Sequence, residues 1–209
     1  GQWRMSLLFL ISGSAVAFLL RKMSLSKFYW SRYQRLLLPL FFGMAVVVVP
    51  QVYAEMATQG RLEGVNYWQF WVAYLDQDSA LFADNKTLGS WHVTWNHLWF
   101  LMYIYVYSIA AWALALLFKF SGQASVWPHI EKRASPVLLV VIIPLVLFFL
   151  NGQFLYEKYP PSNDLINDFF NHGKYLVAFV MGIILVQVPS YWLAVRQWRK
   201  VTLAAALFN

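Results

Sequence analysis

Charged residues punctuate this chain at wide intervals, and long apolar runs fill the gaps. Met5–Leu20 lies between Arg4 and Arg21, and Leu36–Ala54 lies between Arg35 and Glu55. The run LWFLMYIYVYSIAAWALALLF, from Leu98 to Phe118, holds neither a charge nor a proline. Ala134–Leu150 follows Arg133, and Tyr175–Val195 lies between Lys174 and Arg196. A helix crosses the hydrocarbon core with about 20 apolar residues, whereas a barrel strand needs about half as many. No water satisfies the backbone there, so runs of this length predict spanning helices. The expected fold class is all-α: a polytopic transmembrane helix bundle of about five spans, near residues 5–21, 36–54, 97–118, 134–151 and 174–195. The closing VTLAAALFN reads as the start of another span. One membrane-embedded domain over 1–209 is expected. It reads as part of a longer protein, because GQWRMSLLFL opens without an initiator Met and the chain stops inside an apolar run. Arg21 and Lys22 follow the first run at once, where a signal peptide would carry small residues for cleavage.

Loop charges orient the spans. The segment 21–35 carries Arg21, Lys22, Lys27, Arg32 and Arg35 and no acid; Lys119, Lys132 and Arg133 outweigh Glu131; Arg196, Arg199 and Lys200 follow the last full run. The intervening loops are acidic, with Glu55, Glu63, Asp76, Asp78 and Asp84 in one and Glu157, Asp164 and Asp168 in the other. Basic and acidic loops alternate, so the positive-inside rule puts the basic ones in the cytoplasm. This distribution uses up most of the net charge of +7, and no nucleic-acid partner is expected. At 60% hydrophobic and 12% charged, the chain is far from the roughly one-quarter charged share of soluble domains. It has no cysteine, which excludes disulfides and thiolate chemistry.

The outer segment 55–96 is too long for a plain connector. Within it NYWQFWVAYL, residues 66–75, places Trp68, Trp71 and Leu75 at helical spacing over a length too short to span. An interfacial helix is expected there.

Four features are candidates for chemistry. Ser12, Gly13 and Ser14 are consecutive small residues inside a span; they serve close helix packing or form a narrow place for a ligand. Asn96 and His97 sit at the outer mouth of the third span beside Trp99. They read as a helix start, with Asn96 as N-cap, or as a functional pair, since an ionisable residue at a span end is a candidate by default. Asp164, Asp168 and His172 recur at i, i+4, i+8. Three ligands along one helix reach poorly around one ion, so a solvated face or sugar contact is expected rather than a metal site. Lastly, SRYQRLLLPL places Arg32 and Arg35 three residues apart ahead of Pro39. A continuous helix would leave the Arg35 carbonyl unpaired and kink; otherwise a helix restarts near Leu38–Pro39. Two cations beside freed backbone groups suit a polyphosphate, and the same cations suit simple membrane anchoring. Both readings stand on the residues alone.

LLFLISGSAVAF, KFYWSRYQRLLLPLFFG, YWQFWVAYL and HLWFLMYIYVYS occur in the order that resembles the membrane acyltransferase 3 family, and within it the glucan-biosynthesis branch of succinyltransferase-like proteins acting on periplasmic glucans. The resemblance implies an enzyme of the bacterial inner membrane, a bundle of about ten helices. It would move an acyl group, succinyl in that branch, from cytoplasmic acyl-CoA to a hydroxyl of an extracytoplasmic carbohydrate. Acyl-CoA is then a co-substrate, with no bound cofactor and no metal; the partners are the lipid bilayer, acyl-CoA and the carbohydrate acceptor. Arg32 and Arg35 match the arginine motif and would hold the CoA phosphates. Ser12, Gly13 and Ser14 match the small-residue motif along the acyl path, with Ser14 where many relatives carry an aromatic. His97 lies in the His-Leu-Trp-Phe motif, and Asn96 or His97 would donate to the reacting oxyanion. Trp68, Trp71, Trp99, Asp168 and His172 would border the acceptor sugar. The family's hallmark histidine belongs to a helix upstream of the small-residue motif, so the main base is expected outside this chain, and the fragment alone is expected to be inactive. The rival classes are a glycan or lipid transporter or flippase, with Pro50, Pro144 and Pro189 kinking its spans, and a non-catalytic membrane sensor.

Overall fold

The computed structural model describes residues 2–62, 64–76, 79–82, 95–121, 135, 138, 142–188, 193 and 196. Among these there is helix and turn and no strand. The fold is an all-α membrane bundle in which four helices are long and apolar enough to cross a bilayer.

Helix α1 is Gln2–Lys22, with Arg21 and Lys22 in its last turn, where cations complement the helix dipole. Only Met23 and Ser24 separate it from α2, which runs over Leu25–Thr58 as one 34-residue helix. The segment 21–35, read as a loop from its charges, is therefore mostly helix. Ser24 starts it, its Oγ accepting from the Lys27 N–H at 3.4 Å in the manner of an N-cap. At 1.5 Å per residue α2 is about 51 Å long, against a hydrocarbon core of about 30 Å. Its basic first turns thus extend beyond the apolar zone.

Helix α3, Tyr67–Leu75, begins with a capping box between Asn66 and Gln69. Helix α4 is Trp99–Ser121, preceded by a 3₁₀ turn, Asn96–Leu98, whose N-cap residue is Trp95 rather than Asn96. Helix α5 is Ile143–Phe154, with proline in its first turn. Residues 134, 136, 137 and 139–141 of the run expected to span before it, and 201–209, expected to open a further span, lie outside the described ones. Helix α6 is Phe169–Gln187, displaced towards the N-terminus from the 174–195 suggested by charge boundaries. Asp168 caps its start by accepting from the Asn171 N–H. Val188, one residue before Pro189, is extended at φ −121°, ψ 94°, as the residue preceding proline prefers.

The chain divides into two compact units, Gly1–Trp30 with Val106–Asn209, and Ser31–Tyr105. In the first, α1 and α6 lie side by side and parallel. Phe9 stacks on Tyr175 with ring centroids 4.6 Å apart. Further along, Ser14 Oγ donates to the Gly182 carbonyl at 3.0 Å. At the basic end, Arg21 Nε donates to Gln187 Oε1 at 2.9 Å. Close approach depends on two glycines: a Cβ at Gly13 would overlap the Phe179 carbonyl, and one at Gly182 the Leu10 carbonyl. The later part of α4 joins them in the same direction, with Tyr107 against Phe9 and Phe179 and Trp112 Nε1 donating to the Leu25 carbonyl at 3.0 Å. Among the described residues, α1, the later part of α4, and α6 thus run parallel. Helix α5 packs antiparallel on α6, and Asn151 Nδ2 donates to the Phe170 carbonyl at 3.0 Å. An open apolar groove of about 390 Å3 runs between α1, α5 and α6, lined by residues that include Leu7, Leu10, Phe148 and Met181.

In the second unit, α3 lays Phe70 and Tyr74 on Val49 and Met56 of α2, with Phe82 completing the cluster. Its opposite face leaves Trp68 and Val72 exposed.

Candidate functional site

The basic end of α2 is built around an irregular turn. Tyr33–Leu37 is a π-turn, closed by the Leu38 N–H donating to the Tyr33 carbonyl five residues back. Pro39 explains it. Proline has no N–H and its ring crowds the carbonyl four residues back, and one extra residue in the turn relieves that crowding while the helix continues. Neither a sharp break nor a plain α-helical kink forms; the chain passes directly into Leu38–Phe42, with proline in its first turn.

The π-turn also separates the two arginines. A wider turn holds more residues, so a three-residue step covers less of it, and Arg32 and Arg35 diverge more than α-helical spacing implies. Arg32 is 7% exposed, while Arg35 is exposed. Arg32 makes contacts within the protein. One side chain is therefore enclosed by the protein and the other is open to solvent, next to a turn whose Gln34 carbonyl has Pro39 as its i+5 neighbour. Chemically, this end offers two cations in unequal settings, suited to an anion with more than one charged group.

A second π-turn, Gly43–Val47, precedes Pro50 and is closed by the Val48 N–H on the Gly43 carbonyl. In its i+5 register the donor missing from the Ala45 carbonyl is Pro50. Trp71 of α3 supplies the replacement, its indole Nε1 donating to Ala45 O at 2.8 Å. Trp71 is thereby committed to holding α3 on α2. Trp68, in contrast, is 70% exposed and tilts edge-on to Trp71 and Tyr67. Trp99 packs its ring edge against Tyr103 at 5.2 Å. His97 is exposed, and the side chain of Asn96 lies outside the described ones.

At the acidic end of the first unit a polar network surrounds the start of α6. Asp168 is fully buried. Its Oδ1 accepts from the Asn171 N–H, and its Oδ2 accepts from the Asn163 N–H and from Asn171 Nδ2, both at 2.7 Å. Asn163 takes the left-handed conformation, φ 57°, which Asn tolerates. Asp164 turns the loop, accepting from the Ile166 N–H and from Asn167 Nδ2. His172 Nε2 lies 2.7 Å from the Leu165 carbonyl, and its Nδ1 lies 2.8 Å from the Tyr107 hydroxyl. A direct sugar contact was expected of Asp168; without exposed surface it instead caps α6 and folds the loop. Nor do Asp164, Asp168 and His172 converge on one point, since each is engaged with a different part of the loop.

The small-residue stretch is filled by its neighbour. Gly13 and Ser14 face the α6 backbone, as given above, and Ser12 Oγ donates back to the Leu8 carbonyl at 2.8 Å. What the structure shows at Gly13 and Ser14 is close helix packing.

Sequence reasoning missed several participants. Tyr107 is one tyrosine among several in an apolar helix and gave no signal. Asn151 and Asn171 did carry one, as polar amides among apolar residues, where polar side chains need partners. Both are buried and hydrogen-bonded.

A family model described as an acyltransferase domain, that of the acyltransferase 3 family, matches residues 1–209. No curated protein and no solved structure matches the chain.

Proposed function

Because the chain belongs to the acyltransferase 3 family, a family of membrane acyltransferases, we propose that it forms part of an O-acyltransferase of the bacterial inner membrane that uses cytoplasmic acyl-CoA. In this reading the basic ends of α1 and α2, and the basic residues that follow α6 in the sequence, face the cytoplasm, and the acceptor is a hydroxyl of a carbohydrate on the outer side, a glucan in the closest likeness. The acyl group is succinyl in that likeness. The observation that carries the reading is the pairing of a buried Arg32 with an exposed Arg35 beside the π-turn. A membrane anchor needs cations but neither burial nor a turn of this kind. The two guanidinia hold the phosphates of CoA, Arg32 from an enclosed position and Arg35 from solvent.

Transfer requires a base for the acceptor hydroxyl and donors for the tetrahedral oxyanion. None of the four histidines of these 209 residues is assigned the role of the main base. His97, exposed at the outer mouth of α4, serves as donor or proton acceptor, with Asn96 beside it. Trp68 and Trp99 offer apolar ring faces to a sugar. The acyl chain passes along the apolar helices near Ser12.

The test is acyl transfer by the full-length protein in nanodiscs, with radiolabelled succinyl-CoA and a linear glucan. Label should enter the glucan with the wild-type protein. Replacing Arg32 and Arg35 together by Gln should weaken acyl-CoA binding at least tenfold, each charge-assisted bond being worth roughly 1.5–3 kcal/mol. Correct insertion with unchanged acyl-CoA affinity would sink the phosphate assignment. Glycan movement without acylation would instead support a transporter.

A further inference from the structure

The hydrogen bonds of His172 select one tautomer of its neutral ring. The Leu165 carbonyl can only accept, so Nε2 carries the proton. Nδ1 in the neutral ring is then an acceptor, and the Tyr107 hydroxyl donates to it. One imidazole is thus used at both ends. It joins the loop backbone at Leu165, on one side, to Tyr107 of α4 on the other, and itself stands in the first turn of α6. Tyr107 in turn packs against Phe9 of α1 and Phe179 of α6. The loop is folded by its own side chains at Asp164 and Asp168 and meets α6 at Asn171; the His172 bond adds a tie from the Leu165 backbone to the first turn of α6, and Tyr107 of α4 braces the ring from its other nitrogen. Ile166, next to the Leu165 carbonyl, is 75% exposed, so the loop is presented outwards at this point.

We propose that His172 is a positioning residue: as the Nε2–H tautomer it bolts the loop 155–168 to the first turn of α6 through the Leu165 carbonyl, with Tyr107 bracing the ring, and so sets the shape of the outer face that the acceptor approaches. It takes no part in bond making. The second half of this statement rests on the reading of an outward-facing carbohydrate acceptor; the first half does not.

Two substitutions separate the ends of the ring. The amide of Gln reaches the place of Nε2, and His172→Gln keeps a donor for the Leu165 carbonyl. The amide of Asn reaches only the place of Nδ1, and His172→Asn keeps an acceptor for Tyr107 but releases the loop. The 209 residues contain no cysteine, so Ile166→Cys offers one spin-label site on the loop, in full-length protein with any cysteine elsewhere replaced. The label should be immobilised in the parent and in His172→Gln, and mobile in His172→Asn. The KM for a linear glucan should rise about five- to tenfold in His172→Asn, with the KM for acyl-CoA and the kcat unchanged, and return to the parent value in His172→Gln. An immobile loop in His172→Asn, a mobile one in His172→Gln, or equal mobility in both overturns the bolt. A mobile loop with unchanged glucan KM overturns its link to the acceptor. If the parent protein acylates no glucan at all, the acceptor reading fails while the spin label still decides the bolt.

Discussion

At the scale of single residues, the two arginines of the SRYQRLLLPL stretch are unequal. Arg32 is held within the protein and Arg35 is solvent-exposed. Arg32→Lys should therefore raise the acyl-CoA Kd about tenfold or more, because a point charge does not replace a planar fork in an enclosed setting. Arg35→Lys should change it less than threefold, as expected for an exposed pair worth up to about 1 kcal/mol. Isothermal titration in nanodiscs distinguishes the two, and equal losses would show that the π-turn does not set them apart. Asp168→Ala removes three hydrogen bonds from the loop and the cap of α6. It should lower the unfolding free energy by roughly 1–3 kcal/mol, seen as a fall in Tm of the detergent-solubilised protein. That Arg32 and Arg35 stand beside a turn disturbed by Pro39 was legible from spacing. Their inequality was not, because the spacing argument assumed an α-helical turn, and only the proline hinted otherwise. Asp168 was read as a ligand-facing acid because its role as an N-cap depends on where α6 begins.

At the scale of elements, boundaries were the least legible feature. Charge-free intervals placed the last span at 174–195, yet α6 is Phe169–Gln187. The true signals were the caps: an aspartate before FFN at one end and Pro189 at the other. Lys174 sits inside the helix with its Nζ 5.4 Å from the Tyr175 ring centroid, so a charge did not mark a helix end. The same holds for α2, where Ser24 was a better guide than the arginines. The two π-turns follow from Pro39 and Pro50 in hindsight, but the sequence does not choose between a kink, a break and a π-turn. Trp71 is the element-scale consequence. Trp71→Phe removes the donor to the Ala45 carbonyl and should loosen α3 from α2, with faster hydrogen exchange of the amides in 67–75. Unchanged exchange would mean that the contact of Phe70 and Tyr74 suffices. Packing of α1 on α6 gives a sharper expectation. Gly182→Val places a side chain where the Leu10 carbonyl lies and should destabilise the protein by on the order of 1–3 kcal/mol, whereas Gly152→Val, at a position with nothing near its Cβ, should change stability little.

At the scale of the whole molecule, composition and run length already implied a helical membrane bundle, and the alternation of basic and acidic loops implied its threading. The parallel packing of α1, the later part of α4, and α6 gives that threading a physical form: contacts between α1 and α6 progress from Phe9–Tyr175 to Arg21–Gln187. Function was legible only through the order of several weak motifs, because no catalytic constellation is spelled out in the chain. The account makes the reaction vectorial, with the donor on the side of Arg32 and the acceptor on the other. Full-length protein in sealed proteoliposomes, sorted by orientation, tests this most directly. Radiolabelled acyl-CoA is supplied on one face and linear glucan on the opposite one. Label should reach the glucan only when acyl-CoA is on the Arg32 face, and with acyl-CoA held below its Kd, Arg32→Gln should cut the transfer about tenfold. Transfer from the other face, or undiminished transfer in the Arg32→Gln protein, would contradict the account.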